Sequence, residues 1–484
     1  MVGITSFGGY VPCRRLARSA IAAANQWFNP MLGSMARGER TLANWDEDAI
    51  TMAVEAARSC MPAAERSNCS AVYFASTTLP FADRQNAGVI AAALQLPSAI
   101  SAMDVTGSQR AATTALLTAL HAAAHTSGKS RILVTTADKR RSLVASSQEM
   151  QFGDGAASVA IGNEGILAQL IASHSETVDF VDHFRAAAAA YDYTWEERWV
   201  RDEGYMQIVV PAAKTCLQQA GIGGDSVQHL VMASVFAPLP KTIAKTLGIS
   251  ETAVQDTLAA TCGDTGTAHP LLMLVHTLES AKPGEHILLL GFGGGCDALL
   301  FKITSDIDKN RPPPSLARAL KMRKQETSYT KLLVFNEQIP LDKGMRAESS
   351  EKTPLTSLYR NRKMMFGLVG GKCRRCGTAQ FPKSAFCVNS ACGAENTQED
   401  YSYADLQPSV MSWSADSLTF TLDPPAYYGM LTFDQGGRLM ADFTDCEASQ
   451  IDVGVRMRMT FRIKSIDAAR SFKHYFWKAA PLQA

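Results

Sequence analysis

The stretch Asp104-Val105-Thr106-Gly107-Ser108-Gln109-Arg110-Ala111 joins an apolar strand, predicted over residues 100–105, to an alanine-rich helix predicted over 111–124. A similar transition recurs where Thr265-Gly266-Thr267 opens a second helix, predicted over 270–280. The first turn of a helix carries partial positive charge, which would activate a thiol placed there. This junction holds Gln109 instead. Its carboxamide cannot act as a covalent nucleophile.

The region around this junction repeats itself over about the first 300 residues. Short β-branched strands alternate with alanine-rich helices, which predicts an α/β fold with buried mixed sheets. The strand predicted at 71–76 resembles the one at 229–234, and the strand at 131–136 resembles the one at 286–290. In each half a glycine-rich turn precedes the last strand. The repetition therefore predicts two duplicated α/β halves.

Composition limits the classes of function. The chain has 484 residues, of which 46% are hydrophobic and 19% charged, and its formal net charge is +1. This balance predicts two or three well-buried domains and gives no electrostatic case for nucleic acid. No apolar run reaches the length that a bilayer requires, and the first residues do not read as a secretory signal. We expect a cytoplasmic protein without a membrane partner.

The composition changes after residue 304. Residues 305–314 are rich in charge and proline, including Arg311-Pro312-Pro313-Pro314, and a short helix is predicted at 315–324. Short alternating strands follow, for example at 410–413, 419–422 and 455–463, and they predict a small barrel. We therefore predict an α/β domain over 1–304, a linker and helix over 305–325, and a second domain over 326–484.

Several motifs of the first domain, taken in order, resemble one enzyme branch. They are Gly38-Glu39-Arg40, residues 46–57, Asp104-Val105-Thr106, Phe152-Gly153-Asp154-Gly155 and Gly263-Asp264-Thr265-Gly266. They resemble the 3-hydroxy-3-methylglutaryl-CoA synthase and ketoacyl-ACP synthase III branch of the thiolase superfamily. The resemblance implies a thiolase-like fold, a coenzyme A thioester as substrate and a homodimer.

Two pairs of cysteines mark the second domain. Cys373 and Cys376 form one pair, and Cys387 and Cys392 form the other. Four thiolates supply a closed tetrahedral shell for Zn²⁺ and leave no position for water, so we expect a structural zinc ion. The region resembles the rubredoxin-like zinc ribbon and OB-fold family that accompanies thiolases. That resemblance implies a possible thiolase partner subunit. It also implies nucleotide phosphates near Arg438, Lys473 or Lys478.

The same resemblance locates four catalytic positions, and this chain departs from the family at each. The glutamate position falls at Thr77 or Thr78, the cysteine at Gln109, the histidine at Phe236 and the asparagine at Asp264. Ordinary acyl-enzyme chemistry is therefore not expected. Three hypotheses remain: aldol, retro-aldol or Claisen-type carbon–carbon bond chemistry on a bound thioester without an acyl-enzyme; decarboxylation; and a catalytically silent subunit that organises an active thiolase.

Replacement chemistry would need other groups. Asp264 is the first candidate base, with a helix cap as its alternative role. His183 falls where the family places substrate-side residues, and His269 is expected to be a core histidine. Cys296 lies near a second thiolase cysteine, with structural burial as its alternative. An oxyanion hole is predicted from three backbone N–H groups, those of Gly293, Gly294 and Gly295.

Overall fold

The computed structural model of the chain describes residues 1–126, 128–348, 352 and 354–482. The chain forms two compact units. The first comprises Met1–Asn44, Asp48–Gly88 and Pro97–Leu332, and the second comprises Trp45–Glu47, Val89–Leu96 and Leu333–Ala484. Among the described residues, no helix combines the length and the apolar character that crossing a bilayer requires.

The first unit contains the strands predicted from the sequence and several more. They are β1 Gly3–Tyr10, β2 Arg14–Ala17, β3 Glu39–Leu42, β4 Cys69–Ala75, β5 Ser101–Val105, β6 Arg131–Asp138, β7 Gly155–Gly162, β8 Ala168–Thr177, β9 His183–Phe184, β10 Tyr193–Thr194, β11 His229–Met232, β12 His286–Phe292, β13 Gly295–Ile303 and β14 Lys324–Glu326.

Helices occur along the whole chain, the last two of them in the second unit. They are α1 Arg18–Asn25, α2 Ala49–Cys60, α3 Asn86–Ala93, α4 Ala111–Ala123, α5 Ser147–Gln151, α6 Glu197–Trp199, α7 Val210–Ala220, α8 Leu239–Thr246, α9 His269–Leu278, α10 Ile307–Asn310, α11 Ser315–Lys321, α12 Tyr329–Phe335, α13 Leu355–Arg360 and α14 Arg362–Gly367. A π-helical segment, Val200–Val209, precedes α7.

The main sheet has nine strands in the order β11-β12-β13-β8-β1-β7-β6-β4-β5. In the first half, β6 pairs in parallel with β4 and antiparallel with β7. In the second half, β12 pairs in parallel with β11 and antiparallel with β13. The matching order confirms the duplicated α/β halves. At the place equivalent to β5, the described residues of the second half form an isolated parallel bridge between Leu230 and Val254.

Helices α4 and α9, one from each half, pack into one extended apolar cluster. Alanine favours the helix in α4, and its buried residues recur three and four positions apart, which places them on one face. Leu116 of α4 and Leu272 of α9 are completely buried in this cluster, together with strand residues such as Val134 and Leu289. The rigid core therefore lies directly behind the junction that carries Gln109.

The segment predicted as a linker belongs to the first unit. Leu316 of α11 and Ile307 of α10 are completely buried in its core, and β14 pairs in parallel with β2. These apolar side chains anchor residues 305–325 despite the prolines between them. The helix predicted at 206–220 also differs, because α7 begins only at Val210, with Pro211 in its first turn, where a missing N–H is tolerated.

The second unit is rich in strands. In the zinc ribbon, β15 Val369–Cys373, β16 Ala379–Gln380 and β17 Gln398–Ser402 form one sheet. The barrel strands are β18 Ser409–Asp416, β19 Ala426–Thr432, β20 Arg438–Asp442, β21 Met457–Asp467 and β22 Phe472–Pro481.

The strand predicted at 419–422 is wrong. The Asp416 carboxylate accepts the N–H groups of Leu418 and Thr419 and thereby forms a turn.

Candidate active site

The β5–α4 junction is held by hydrogen bonds from the second half of the first unit. The buried Asp297 carboxylate accepts the hydroxyls of Thr113 at 2.9 Å and Thr114 at 2.8 Å. Ser108 Oγ donates to the Gly293 carbonyl at 2.6 Å. These bonds fix the start of α4, and with it the backbone that carries Gln109.

A histidine faces the Gln109 side chain. His183 Nε2 lies 3.3 Å from Gln109 Nε2, and His183 Nδ1 lies 2.7 Å from Asp182 Oδ2. An ionised carboxylate can only accept, so Nδ1 carries the proton and Nε2 presents a lone pair. The Gln109 amide then donates to that lone pair. Its Oε1 atom is buried and has no protein partner among the described residues. The side chains thus form an oriented base next to an unsatisfied acceptor.

Asp264 reaches the same place through a contact between the two halves. Gly153 N–H donates to the Asp264 carbonyl and Asp264 N–H donates to the Gln151 carbonyl, both at 2.8 Å. A Cβ atom on Gly153 would lie 2.1 Å from the Cys262 carbonyl oxygen, so only glycine fits at this close approach. The glycine motifs of the two halves therefore position the backbone of Asp264.

Both carboxylate oxygens of Asp264 already accept hydrogen bonds. Oδ1 accepts from Gly266 N–H at 3.0 Å and Oδ2 accepts from Arg140 Nη1 at 3.1 Å. The Arg140 guanidinium also contacts Asp192 Oδ2 at 2.8 Å, and Arg185 contacts Asp192 Oδ1 at 2.8 Å. Burial opposes the charge of Asp192, but Arg140 and Arg185 hold the pKa of its carboxyl below the ordinary value. Asp264 is thus part of an ion-pair network.

The threonines at the family's glutamate position bind an aspartate. Asp138 is fully buried and accepts the hydroxyls of Thr77 at 3.0 Å and Thr78 at 2.9 Å, as well as the Thr267 N–H at 2.8 Å. Neither threonine lines the cleft described next. The proton-transfer group expected there is replaced by a structural hydrogen-bond network.

These side chains surround a cleft in the first unit. Its inner chamber has a volume of about 140 Å³, and its polar lining residues include Gln109, Arg140, Asp182, His183 and Asp264. Five rings also line it: Phe152, Trp195, Tyr205, Phe236 and Phe292, called the aromatic wall below. The Tyr205 and Phe292 ring centroids lie 4.2 Å apart. The π-helical segment contributes Tyr205 to this wall and Val200 to the lining beside it.

A neighbouring outer chamber of about 240 Å³ shares Gln151, Ser234, Val235 and Asp264 with the inner one. Arg18 and Arg37 line it. The Nε atom of Arg18 is buried without a partner, and neither arginine forms an ion pair with a residue that the structure describes. The two chambers thus share four residues, and arginines line the outer one while His183 and the aromatic wall line the inner one.

The remaining candidates do not line the inner chamber, although His269 lines the outer one. His269 is buried, accepts Thr265 N–H at its Nδ1 and contacts the Thr257 carbonyl with its Nε2 at 2.8 Å, as expected for a core histidine. Cys296 is completely buried in an apolar cluster of the second half and does not line the inner chamber. Burial raises the pKa of its thiol.

The glycine turn supports the junction from behind. The backbone of Gly293 lies against Gln109, since a Cβ atom on this glycine would be 3.1 Å from the Gln109 nitrogen. Its N–H donates to the Gly295 carbonyl at 3.0 Å, so this one of the three predicted oxyanion donors is already bonded. The Gly294 carbonyl accepts from Val178 N–H. None of the three glycines lines the inner chamber.

The four cysteines of the second unit come together. The sulfurs of Cys373, Cys376, Cys387 and Cys392 all lie within 4.8 Å of one another. Zn–S bonds of about 2.3 Å in a tetrahedron require sulfurs roughly 3.8 Å apart, so the cluster fits zinc. Bound there, Zn²⁺ would have four protein ligands and a structural role.

The basic residues expected near nucleotide phosphates differ in exposure and in whether their charge is already paired. Arg438 lies exposed on β20. Lys478 is buried, pairs with Asp46 Oδ2 at 2.8 Å and lies over the Trp45 ring, all within the second unit. Lys478 is therefore occupied structurally and not a phosphate ligand.

Comparison with known proteins agrees with this architecture. The model of the 3-oxoacyl-[acyl-carrier-protein] synthase III C-terminal domain matches residues 217–303. The models of the ChsH2 rubredoxin-like zinc ribbon and the ChsH2 C-terminal OB-fold domain match residues 367–398 and 409–462. Hydroxymethylglutaryl-CoA synthase of Methanopyrus kandleri is 27% identical over 319 residues, covering 64% of this chain and 90% of that protein.

Solved structures show the same fold. The structure of MvaS in complex with 3-hydroxy-3-methylglutaryl coenzyme A gives a TM-score of 0.60 at 17% identity, covering 70% of this chain and 92% of that one. The curacin biosynthetic HMG synthase in complex with acetyl donor-ACP gives 0.58 at 15% identity, covering 83% and 99%. The chain thus shares the fold of these synthases, and its later residues match models of a zinc ribbon and an OB-fold domain.

Several functional residues were not found from the sequence. Arg140 lies in the run Lys139-Arg140-Arg141, which resembles any charged loop, and Asp192 lies in an irregular segment. Asp182 carried one usable signal, its position next to His183. Arg18 and Arg37 become notable only when the fold brings them to one chamber.

Proposed function

We propose that the protein makes or breaks a carbon–carbon bond in an acyl-CoA by aldol or retro-aldol chemistry, without a covalent acyl-enzyme. One observation carries the proposal: His183 presents Nε2 to the cleft, is oriented by Asp182 at 2.7 Å, and lies beside Gln109 where the family has its nucleophile. An imidazole with one nitrogen bound to a carboxylate suits general base catalysis near neutral pH. We assign the base to His183 because Asp264 is held in an ion pair with Arg140, whereas the 3.3 Å contact of Nε2 with the neutral Gln109 amide can be replaced by a substrate hydroxyl.

One base is sufficient for the reaction, because the proton that it takes from the substrate is later returned to the product. In the retro-aldol direction His183 Nε2 takes the proton of a 3-hydroxyl, and the O–H electron pair forms a carbonyl at C3. The C2–C3 bond breaks and its pair moves to C2 as a thioester enolate. The imidazolium returns the proton to C2. The products are an aldehyde or ketone and a shorter acyl thioester, and the reverse sequence is aldol addition.

The neighbouring groups have supporting roles in this proposal. The Gln109 amide stands at the start of α4, where its N–H and the helix terminus favour charge developing on a thioester oxygen. Arg18 and Arg37 offer unpaired positive charge in the outer chamber, which suits the phosphates of the carrier. The complexes of relatives with a coenzyme A ester and an acyl-carrier protein support a thioester ligand.

Deuterium exchange tests the base without knowledge of the natural substrate. The protein is incubated with acetyl-CoA in D₂O, and incorporation at C2 is measured by mass spectrometry. We expect His183→Gln to lower the exchange rate by about 10²-fold or more. The matched control is His174→Gln, since His174 lies on β8 outside the inner chamber.

Two results would reject this assignment. Exchange retained in His183→Gln but lost in Asp264→Asn would move the base to Asp264. Exchange indistinguishable from a protein-free sample would support the second candidate, a silent subunit.

A silent subunit is favoured by one specific observation. The family's glutamate and histidine positions hold groups with settled structural roles, since Thr77 and Thr78 bind Asp138 and Phe236 packs edge-on against Tyr205. Under this alternative, purified protein alone shows no exchange and no turnover, and activity of an assembled complex depends on the cysteine of a thiolase partner. Activity in that complex would be unchanged by His183→Gln.

A further inference from the structure

The inner chamber is lined by more acidic than basic side chains. Asp182, Glu197 and Asp264 line it, whereas its one fixed cation among the lining residues is Arg140. Glu197 forms no ion pair with any residue that the structure describes. A carboxylate entering this chamber would therefore meet more negative than positive charge.

The single cation is already occupied. Arg140 Nη1 contacts Asp264 at 3.1 Å, its Nε and Nη2 contact Asp192 at 3.2 and 2.8 Å, and its guanidinium lies 3.7 Å over the Phe152 ring. A second carboxylate would have to displace one of these partners. Removing one member of a buried charge pair leaves the other uncompensated, which is costly.

The chamber also carries several rings and is of limited size. Besides the charged groups, its lining combines the aromatic wall with uncharged polar side chains such as Gln148 and Ser234, and the Tyr205 ring packs against both Phe292 and Phe236. A cavity of about 150 Å³ accommodates a benzene molecule. The inner chamber, at about 140 Å³, therefore has room for an acyl group of roughly six carbons.

We propose that the inner chamber selects uncharged, apolar acyl groups and rejects acyl groups that end in a carboxylate. This inference rests on the proposed function in one respect, that the cleft binds an acyl-CoA. It separates this chain from relatives named for hydroxymethylglutaryl-CoA, whose acyl group carries a terminal carboxylate. The selection comes from Glu197, the occupied Arg140 and the aromatic wall together.

Two thioesters of equal chain length test the proposal by binding alone. Hexanoyl-CoA ends in a methyl group and adipoyl-CoA ends in a carboxylate. Their dissociation constants for the full-length protein are measured by isothermal titration calorimetry. We expect hexanoyl-CoA to bind at least about tenfold more tightly, because the buried carboxylate of adipoyl-CoA finds no free cation.

A charge reversal at the rim adds a second measurement. Glu197 is exposed, so Glu197→Lys should leave the fold intact. We expect this variant to improve adipoyl-CoA binding by about tenfold relative to hexanoyl-CoA binding. The matched control is Glu203→Lys, which makes the same charge change at an exposed residue outside the chamber lining.

The possible outcomes separate the proposed selectivity from the proposed function. Equal binding of both thioesters, or tighter binding of adipoyl-CoA, overturns the selectivity and leaves the proposed function standing. An equal response of Glu197→Lys and Glu203→Lys also overturns it, because the effect would then be long-range charge. Binding of neither thioester removes the premise and rejects both proposals.

Discussion

At the scale of single residues, the site shows how one substitution is accommodated by its neighbours. Gln109 cannot form a thioester, but its amide reaches His183, and the tautomer of His183 is set by Asp182. The sequence located Gln109 and Asp264 through flanking motifs. It did not show that Asp264 pairs with Arg140, because that contact joins residues 124 positions apart.

The first residue-scale prediction concerns covalency. Incubation with acetyl-CoA should leave every cysteine of the first unit unmodified in intact-mass spectra. Burial raises the pKa of Cys262 to about 11 and also raises the pKa of Cys296, so neither is a thiolate at neutral pH. A stoichiometric mass increase of one acetyl group, mapped to either residue, would contradict this and restore acyl-transfer chemistry.

The second prediction concerns the stability of the ion-pair network. Asp192→Asn should lower the free energy of unfolding by about 3 kcal/mol at pH 7, because Arg140 and Arg185 lose a buried partner. Since the folded pKa of Asp192 is lowered, its contribution is complete above the unfolded value of about 3.9 and declines as pH falls through the folded value.

Denaturant titrations of both proteins at several pH values measure this difference. It should stay constant from about pH 5 upward and shrink below about pH 4. A difference that grows on acidification would contradict the assignment.

At the scale of elements, periodicity located several strands and helices of both halves. The strands predicted at 131–136 and 286–290 correspond to β6 and β12, and the helix predicted at 111–124 corresponds to α4. The sequence did not reveal β1 or β8, although both lie at the centre of the sheet. Their residues, such as Gly3–Tyr10 with three glycines, lack the continuous β-branched pattern that marks a buried strand.

The element-scale prediction tests the contact between the two glycine motifs. Gly153→Ala should destabilise the first unit by about 3 kcal/mol, because the new methyl group would lie 2.1 Å from the Cys262 carbonyl and would force the backbone apart. The same shift should move Asp264 and lower activity. Gly33→Ala is the matched control, since no atom lies within 4 Å of its Cβ position. Equal melting temperatures for the two variants would contradict the prediction.

At the scale of the whole molecule, cysteine spacing and composition located the parts of the chain but not the boundary between them. The cysteine spacing predicted the zinc ribbon because four thiols at such intervals have few other uses, and the cluster confirmed it. The boundary differs from prediction because buried residues such as Leu316 attach residues 305–325 to the first unit. Proline content indicated a linker, but packing determines which unit a segment joins.

The whole-molecule prediction concerns metal. Cys376→Ser should abolish the single equivalent of zinc found by elemental analysis and unfold the ribbon, because metal binding supplies much of the folding free energy of such small domains. The first unit should keep its own thermal transition. Cys216→Ser, which changes a buried cysteine of the first unit, is the control and should retain zinc. Less than about half an equivalent in the unmodified protein would contradict the assignment.

The position of β1 has a consequence for biosynthesis. This strand pairs with β7 over residues 156–162 and with β8 at residues 168 and 169. Its partners are therefore synthesised about 150 residues after it, and such distant pairing slows folding. During that interval an unpaired edge is exposed to other nascent chains. We expect that slowing translation between β1 and β8 prolongs this state, and that the yield of native protein then depends on chaperones that cover the amino-terminal segment.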